Sequence, residues 1–174
     1  VKITQTYLVE QRRLHQSPGY GVASRSYAAM VADLANAKGA RSISDYGAGK
    51  CNLRNALYEL GKFDFAYYPY DPVFPKYGPP RAADLVCCID VLEHVEPDCL
   101  DEVLDELGKI TIRHGLFTIH TGSAAKTLSD GRNAHLIRKP ASWWLPRICD
   151  RLEITHLQSA SGGFWLLVEP RAGA

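Results

Sequence analysis

Asp45-Tyr46-Gly47-Ala48-Gly49-Lys50 stands between a short strand predicted over residues 41–46 and a helical stretch predicted over 52–60. A glycine pair at a strand-to-helix turn lets a ligand approach backbone where a Cβ would clash. The ligand then meets the free N–H groups at the helix start. A dinucleotide fingerprint wants a third glycine where this chain has Asn52, which counts against a nicotinamide-dependent oxidoreductase.

Downstream, residues 63–70 are aromatic and read as a second strand, which Asp71-Pro72 stops. Asp71 follows Gly47 by 24 positions. A carboxylate at the end of that strand can accept hydrogen bonds from both hydroxyls of a ribose. A turn-forming Asp-Pro is the alternative, but the register with the glycine loop favours a nucleoside. Residues 72–83 hold Pro72, Pro75, Gly78, Pro79 and Pro80, which is loop chemistry. Leu85-Val86-Cys87-Cys88-Ile89 is all apolar, as a strand buried on both faces should be. Asp90-Val91-Leu92-Glu93-His94 follows directly, and ligands of open parallel sheets lie outside the carboxyl ends of strands. Capping and orienting the loop is the structural alternative for Glu93 and His94.

Upstream, residues 1–39 read as helices. Ile3, Tyr7 and Leu14 share one face, and Ser24 or Ser26 is placed to cap a second helix carrying Tyr27, Val31 and Leu34. Lys38-Gly39 is a C-terminal stop. Beyond Pro97, Leu100, Val103, Leu104 and Leu107 form a helical stripe that Gly108 is expected to end. A strand over 116–120 leads to a long polar loop, 121–139. Pro140 opens a helix with Trp143 and Trp144, which Pro146 is expected to break or kink. Residues 152–158 and 164–169 read as a β-hairpin. Strands alternating with helices and closing in a hairpin describe an α/β sheet, parallel except for one strand.

The 174 residues, 46% hydrophobic and 22% charged, fit one ordinary globular domain over 1–174, with the sheet core at 40–174. The net charge of +1 excludes a uniformly basic nucleic-acid coat. That average hides nine acids and no base over residues 84–106, then eight bases against two acids over 109–151. Two solvated faces, or a basic surface waiting for an anion, are the two readings. Five cysteines without a C-x-x-C pair fit a reducing compartment, and a cytoplasmic location is expected. No apolar run reaches the ~18 residues of a membrane helix, so no membrane partner is expected. The sequence opens at Val1 with neither a methionine nor a signal-peptide pattern, as a trimmed chain would. Oligomeric state is left open.

The three motifs together resemble class I S-adenosylmethionine-dependent methyltransferases over about residues 40–170. Asp45-x-Gly47-x-Gly49 looks like their first motif, Asp71 like their ribose-binding acid, and Asp90-Val-Leu-Glu-His-Val like their strand-four signature. The style of loop and motif also looks like short methyltransferases of phage and prophage genes. The resemblance implies a three-layer Rossmann-like fold with an antiparallel C-terminal hairpin, and S-adenosylmethionine as cofactor. It implies cofactor contacts from Tyr20, Asp45, Gly47, Ala48, Gly49, Tyr70, Asp71, Pro72, Ile89, Asp90 and Val91. Only twelve residues separate Asp71 from Asp84, where the family carries a helix and a strand. The third strand is therefore expected to be missing or a stub, along with the family's adenine-contacting acid.

Methyl transfer is an in-line displacement, in which orientation carries much of the catalysis. A base matters where the acceptor loses a proton, and His94, His120 and His135 are the candidates. Lys126, Arg132 and Trp143 are candidates for holding a small-molecule or nucleotide acceptor, expected to be anionic. The Glu93-His94 pair followed by His135 is also similar to the arrangement in small-RNA 2′-O-methyltransferases. That resemblance implies a divalent metal at Asp90, Glu93, His94 and His135 and an RNA end as acceptor. A cofactor-binding partner protein with little catalysis is the remaining alternative.

Overall fold

The computed structural model of the chain describes residues 2–62 and 64–172. Two helices, α1 (Gln5–His15) and α2 (Ala28–Lys38), precede β1 (Ser42–Tyr46), α3 (Asn52–Glu59), β2 (Ala66–Tyr70) and β3 (Ala83–Ile89). Then come α4 (Leu100–Ile110), β4 (Thr111–His120), α5 (Ala141–Cys149), β5 (Leu152–Ala160) and β6 (Gly163–Pro170). The strands form one sheet in the order β2-β1-β3-β4-β6-β5, in which β1 to β4 are parallel and β6 is antiparallel to both neighbours. Phe63, read from the sequence as the start of the second strand, lies outside the described residues, as do Val1, Gly173 and Ala174 at the ends of the expected domain.

The layers follow from the pleat of β3. Val86 and Cys88 point to one face and pack with Leu104, Leu107, Phe117, Trp144 and Ile148 beneath α4 and α5. Leu85, Cys87 and Ile89 point to the other and pack with Val31, Ala35, Leu53 and Leu57 of α2 and α3. Both faces are covered, so the strand has no use for a polar alternate residue. A third cluster joins Tyr7 and Leu14 of α1 to Leu128 and Ala134 of the long loop. It lays α1 across the end of the sheet where the strands finish.

Between β2 and β3 the chain makes only a 3-10 turn at Pro75–Tyr77, so β2 is an edge strand and the sheet has six strands. The third-strand region is shortened as its length required. Other elements differ from their sequence reading. A 3-10 turn, Ala23–Tyr27, precedes α2, and the Ser26 hydroxyl donates to the Ala23 carbonyl instead of capping the helix. α4 runs through Gly108 to Ile110, because Ile110 is a further buried position on the stripe. Pro146 lies inside α5 without ending it, since Trp144 and Ile148 on either side are fully buried and hold the helix in place. β4 begins at Thr111, five residues before its apolar run, and Ala83 of β3 pairs with Thr111.

The charge split is largely internal. Arg151 bonds Asp101 and Asp105 of α4, and Arg113 donates to the Lys38 and Gly39 carbonyls that end α2. Much of the basic segment thus anchors the fold. All five cysteines are free, with Cys149 exposed and the others buried. Among the described residues, no helix is long and apolar enough to cross a membrane.

Candidate active site

Strand order reverses between β1 and β3, and such a switch point opens a crevice at the carboxyl ends. Four strand ends deliver the candidate groups there: Gly47 after β1, Asp71 after β2, Asp90 after β3 and His120 closing β4. The Tyr70 carbonyl accepts from both the Gly47 and Ala48 N–H groups, at 2.8 and 2.9 Å, which pins the glycine turn to β2. Gly47 has φ +82°, and a Cβ there would stand 2.4 Å from Val91 Cγ2. Asp90 is a non-glycine residue at φ +59°, a conformation that costs about 1 kcal/mol or more and concentrates at functional sites.

Two adjoining cavities occupy the crevice. The larger, about 490 Å³, lies within the range of small-molecule sites. The smaller, about 90 Å³, is lined mostly by apolar side chains such as Val73, Val95 and Val103. Gln11, His15, Gly47, Asp71, Val91 and His94 border both. Tyr70 and Pro72 line the smaller cavity, while Tyr20, Asp90, His120, Lys126 and His135 line the larger. Asp71 is 7% exposed; its Oδ2 accepts from Gly49 N–H at 3.0 Å and its Oδ1 from Val73 N–H at 2.8 Å. Burial pushes its carboxyl above the ordinary value.

Several predicted contacts lie outside these walls. Ala48 and Ile89 are buried, Ile89 in the core beneath α2 and α3, and the Gly49 carbonyl accepts from the Tyr77 hydroxyl. Asp45 is buried under the loop and accepts from the Tyr67 hydroxyl. Removal from water raises its pKa from 3.8 to about 7. This fixes the sign of a stability effect. Above about pH 4 the unfolded chain ionises Asp45 while the folded chain keeps the proton, so the contribution declines until about pH 7. Asp45→Asn is expected to gain on wild type over that interval, by at most about 1.4 kcal/mol per pH unit. Urea unfolding at pH 4, 5, 6 and 7 checks it, and parallel stability curves for the two proteins would refute it.

The three histidines meet in the larger cavity. The His135 ring lies 4.7 Å from His94 and 4.9 Å from His120. A carbonyl can only accept, so His94 Nδ1–H donates to Ala134 O at 2.8 Å and His135 Nδ1–H donates to Gly122 O at 2.7 Å. Each therefore keeps an unprotonated Nε2 when neutral. Burial lowers the His94 pKa to about 4 against the opposing pull of Asp90, so that ring is neutral at pH 7. His120 differs: its Nδ1 accepts from Gly122 N–H, and its Nε2 packs on Gly162, where a Cβ would be 2.4 Å away. With Nδ1 accepting, a neutral His120 ring carries its proton on Nε2, the opposite tautomer to His94 and His135, and the side chain lines the larger cavity beside them.

Glu93 takes the loop-orienting place that was its structural alternative. It is fully buried, its Oε1 accepts from His120 N–H at 2.6 Å, and its Oε2 finds no hydrogen-bond donor among the described residues. Burial, then the neighbouring Asp90, hold its carboxyl well above the ordinary value. Ligand atoms of Asp90, His94 and His135 lie within 4.8 Å of one another, and Glu93 does not belong to that group. Glu93 instead ties the loop after β3 to the end of β4. Arg132 is exposed and folded onto Asp130, and Trp143 packs edge-on against Trp144 beneath the Arg147 guanidinium. Neither lines these two cavities, and of the three predicted acceptor residues Lys126 is the one that does.

The sequence reading has the first helix but not its place in the site. Tyr7 donates to the His94 carbonyl at 2.7 Å, Gln11 Nε2 donates to the Tyr7 hydroxyl, and the Tyr20 hydroxyl donates to Gln11 Oε1. The signal was a glutamine on the buried face beside Tyr7 and Leu14.

No family model and no curated protein matches the sequence. Solved structures do. One is 1,6-didemethyltoxoflavin-N1-methyltransferase from Burkholderia thailandensis, with bound 1,6-didemethyltoxoflavin and S-adenosylhomocysteine: 13% identity over 99% of this chain and 92% of that chain, TM-score 0.65. An O-methyltransferase family protein from the same organism shares 14% identity over 97% of this chain, TM-score 0.58; this chain spans 59% of its length. A 16S rRNA methylase shares 16% identity over 98% of this chain and 77% of that one, TM-score 0.51. The chain has the fold of the class I S-adenosylmethionine-dependent methyltransferases, shortened by the strand that would flank β2.

Proposed function

We propose that this protein transfers the methyl group of S-adenosylmethionine to a small, anionic or nucleotide-like acceptor. The observation that carries the reading is the convergence of Gly47, Asp71 and Asp90 on one crevice at the switch point of a methyltransferase fold. The residues fit the cofactor. A glycine that no Cβ could replace admits close backbone approach, and the Asp71 carboxylate is there to accept from ribose hydroxyls. Tyr70, Pro72 and Val73 offer an apolar wall to a base. When bound, S-adenosylmethionine supplies an electrophilic methyl on a sulfonium. His94 presents a neutral ring with its Nε2 lone pair free and its tautomer fixed by Ala134 O, which suits it to take the proton an acceptor loses. Lys126, on the rim of the same cavity, supplies a positive charge for an anionic acceptor. The free thiols fit a reducing compartment such as the cytoplasm.

Calorimetric titration with S-adenosylmethionine, S-adenosylhomocysteine and NAD tests the cofactor. Binding of the first two without NAD is expected, and NAD binding alone would reject the reading. Turnover on a panel of nucleotides and small anions then separates an enzyme from a cofactor-binding partner.

A second reading, metal-assisted 2′-O-methylation of an RNA end, is favoured by the Asp90, His94 and His135 group. Histidines that ligate metals usually donate their other ring N–H to a carbonyl or carboxylate, as both of these do. A divalent ion held there would act as a Lewis acid toward an acceptor hydroxyl. Titration with Mn²⁺ is expected to show one site that Asp90→Asn and His135→Ala each weaken by at least the ~10- to 100-fold that loss of an outer-shell partner costs. Wild-type protein that takes up no Mn²⁺, Mg²⁺ or Fe²⁺ would remove this reading and leave the first intact.

A further inference from the structure

The sheet has two edges, β2 and β5, and they are finished differently. Ala66 N–H donates to the Arg41 carbonyl, and the Tyr70 carbonyl accepts from Gly47 and Ala48. Ala66, Tyr68 and Tyr70 therefore turn their backbone toward β1, which leaves Tyr67 and Pro69 facing outward. A proline there has no N–H to offer a further strand. The Arg81 guanidinium also covers the Tyr68 ring, 3.9 Å from its centroid. β5 carries none of these guards. It runs for nine residues without proline or lysine, and β6 is its one partner among the described strands. Its outward N–H and C=O groups form a template for another strand.

Charge along this edge indicates the occupant. Between Glu153 and Glu169 the chain has no Asp, Glu, Lys or Arg. Residues 155–162 are exposed without a break, Leu157 to 44%, and His156 stacks on Trp165. A charged partner finds nothing to pair with on such a strand, whereas a second copy is complementary to it. An antiparallel pair of β5 strands centred on Leu157 sets leucine opposite leucine and Glu153 opposite the partner's Ser161. No like charges meet, and the contact closes on a twofold axis, the commonest symmetry of protein oligomers. A parallel pair in register would instead bring two copies of Glu153 together.

We propose that β5 is a self-association edge, which pairs antiparallel with β5 of a second copy of this chain, centred on Leu157, and joins the two sheets into one. The edge leads to the crevice. Gly162, in the turn after β5, accepts from Thr121 N–H at 2.9 Å and packs on the His120 ring. The contact between copies therefore ends beside His120, in the wall of the larger cavity.

Sedimentation equilibrium over roughly 1 μM to 1 mM, the range of weak interfaces, is expected to show wild type passing from monomer to dimer. Leu157→Lys should weaken the dimer by ~10-fold or more, because it removes an apolar pair and sets two like charges opposite each other. Leu157→Glu should do the same alone. An equimolar mixture of the two variants should associate again, since opposite charges then face each other across the axis. Ile112→Lys, which alters another exposed apolar residue away from β5, should leave the dimer intact. Leu157 is exposed, so its variants keep the core, and melting temperature checks that each is folded. Wild type that stays monomeric throughout the range, or a dimer unchanged by Leu157→Lys and Leu157→Glu, would overturn the proposal. Variants that dissociate singly and fail to associate when mixed would overturn it as well.

Discussion

Asp71→Ala is expected to abolish measurable binding of S-adenosylhomocysteine. The carboxylate borders both cavities at the end of β2, 7% exposed, and two ribose hydroxyls donating to it would make two charge-assisted bonds. At about 1.5–3 kcal/mol each, their loss lowers affinity by ~100-fold or more. Alanine also releases the Gly49 and Val73 N–H groups that Asp71 now binds, so the glycine loop loses its tether to β2. Stability should fall too, by about 1–3 kcal/mol, because buried donors are left unpaired. Asp71→Asn separates the two effects. Its amide oxygen can keep one loop bond, while its amide nitrogen faces a hydroxyl donor poorly and its charge is gone. The expected order of affinity is wild type, then Asn, then Ala, with melting temperatures closer together than affinities. Calorimetry with both variants decides it; retained affinity in Asp71→Ala would show that the carboxylate serves the loop alone.

The parts of this architecture that were legible in the sequence are those whose cause is local. β3 is readable because burial on both faces leaves an unbroken apolar run, and the missing strand because twelve residues between Asp71 and Asp84 cannot hold a helix and a strand. Gly47 and Asp71 are readable because a strand end and a turn fix where they lie. Convergence of the histidines was foreseeable in part, since His94 lies in the loop that follows β3 and His120 ends the neighbouring parallel β4, but their tautomers depend on which carbonyl or N–H each meets in the 121–139 loop. His15 was not readable, because its position depends on α1 folding back across the sheet, a matter of packing between residues far apart in sequence. Two residues that do not line the cavities had local signals. Asp130 stands two residues before Arg132 and pairs with it, and Arg147 stands one helical turn after Trp143 and covers its ring. A nearby partner of that kind argues for a side chain occupied by the fold.

Gly47→Ala is expected to be among the most damaging single substitutions in the chain, and a second substitution should partly reverse it. Two costs add at this position. The backbone has φ +82°, where an L-residue pays roughly 1–2 kcal/mol that glycine does not. The new Cβ would also lie 2.4 Å from Val91 Cγ2 and 3.0 Å from Cγ1. Val91 is β-branched with restricted χ1, so neither methyl swings away cheaply. The loop must shift instead, against the Tyr70 carbonyl that holds both Gly47 and Ala48 N–H groups. The sum should reach about 3 kcal/mol or more, a fall in melting temperature of roughly 6–12 °C for a chain of this size. Ligand binding should fall with it, since the same shift displaces backbone that borders both cavities. Val91→Ala removes the two methyls that clash and leaves the backbone penalty untouched. The double variant should therefore be more stable than the sum of the single effects predicts, by about 1 kcal/mol or more. Calorimetric melting of the four proteins measures that coupling directly. If the two substitutions are simply additive, the steric account of Gly47 is wrong and its φ alone explains the glycine.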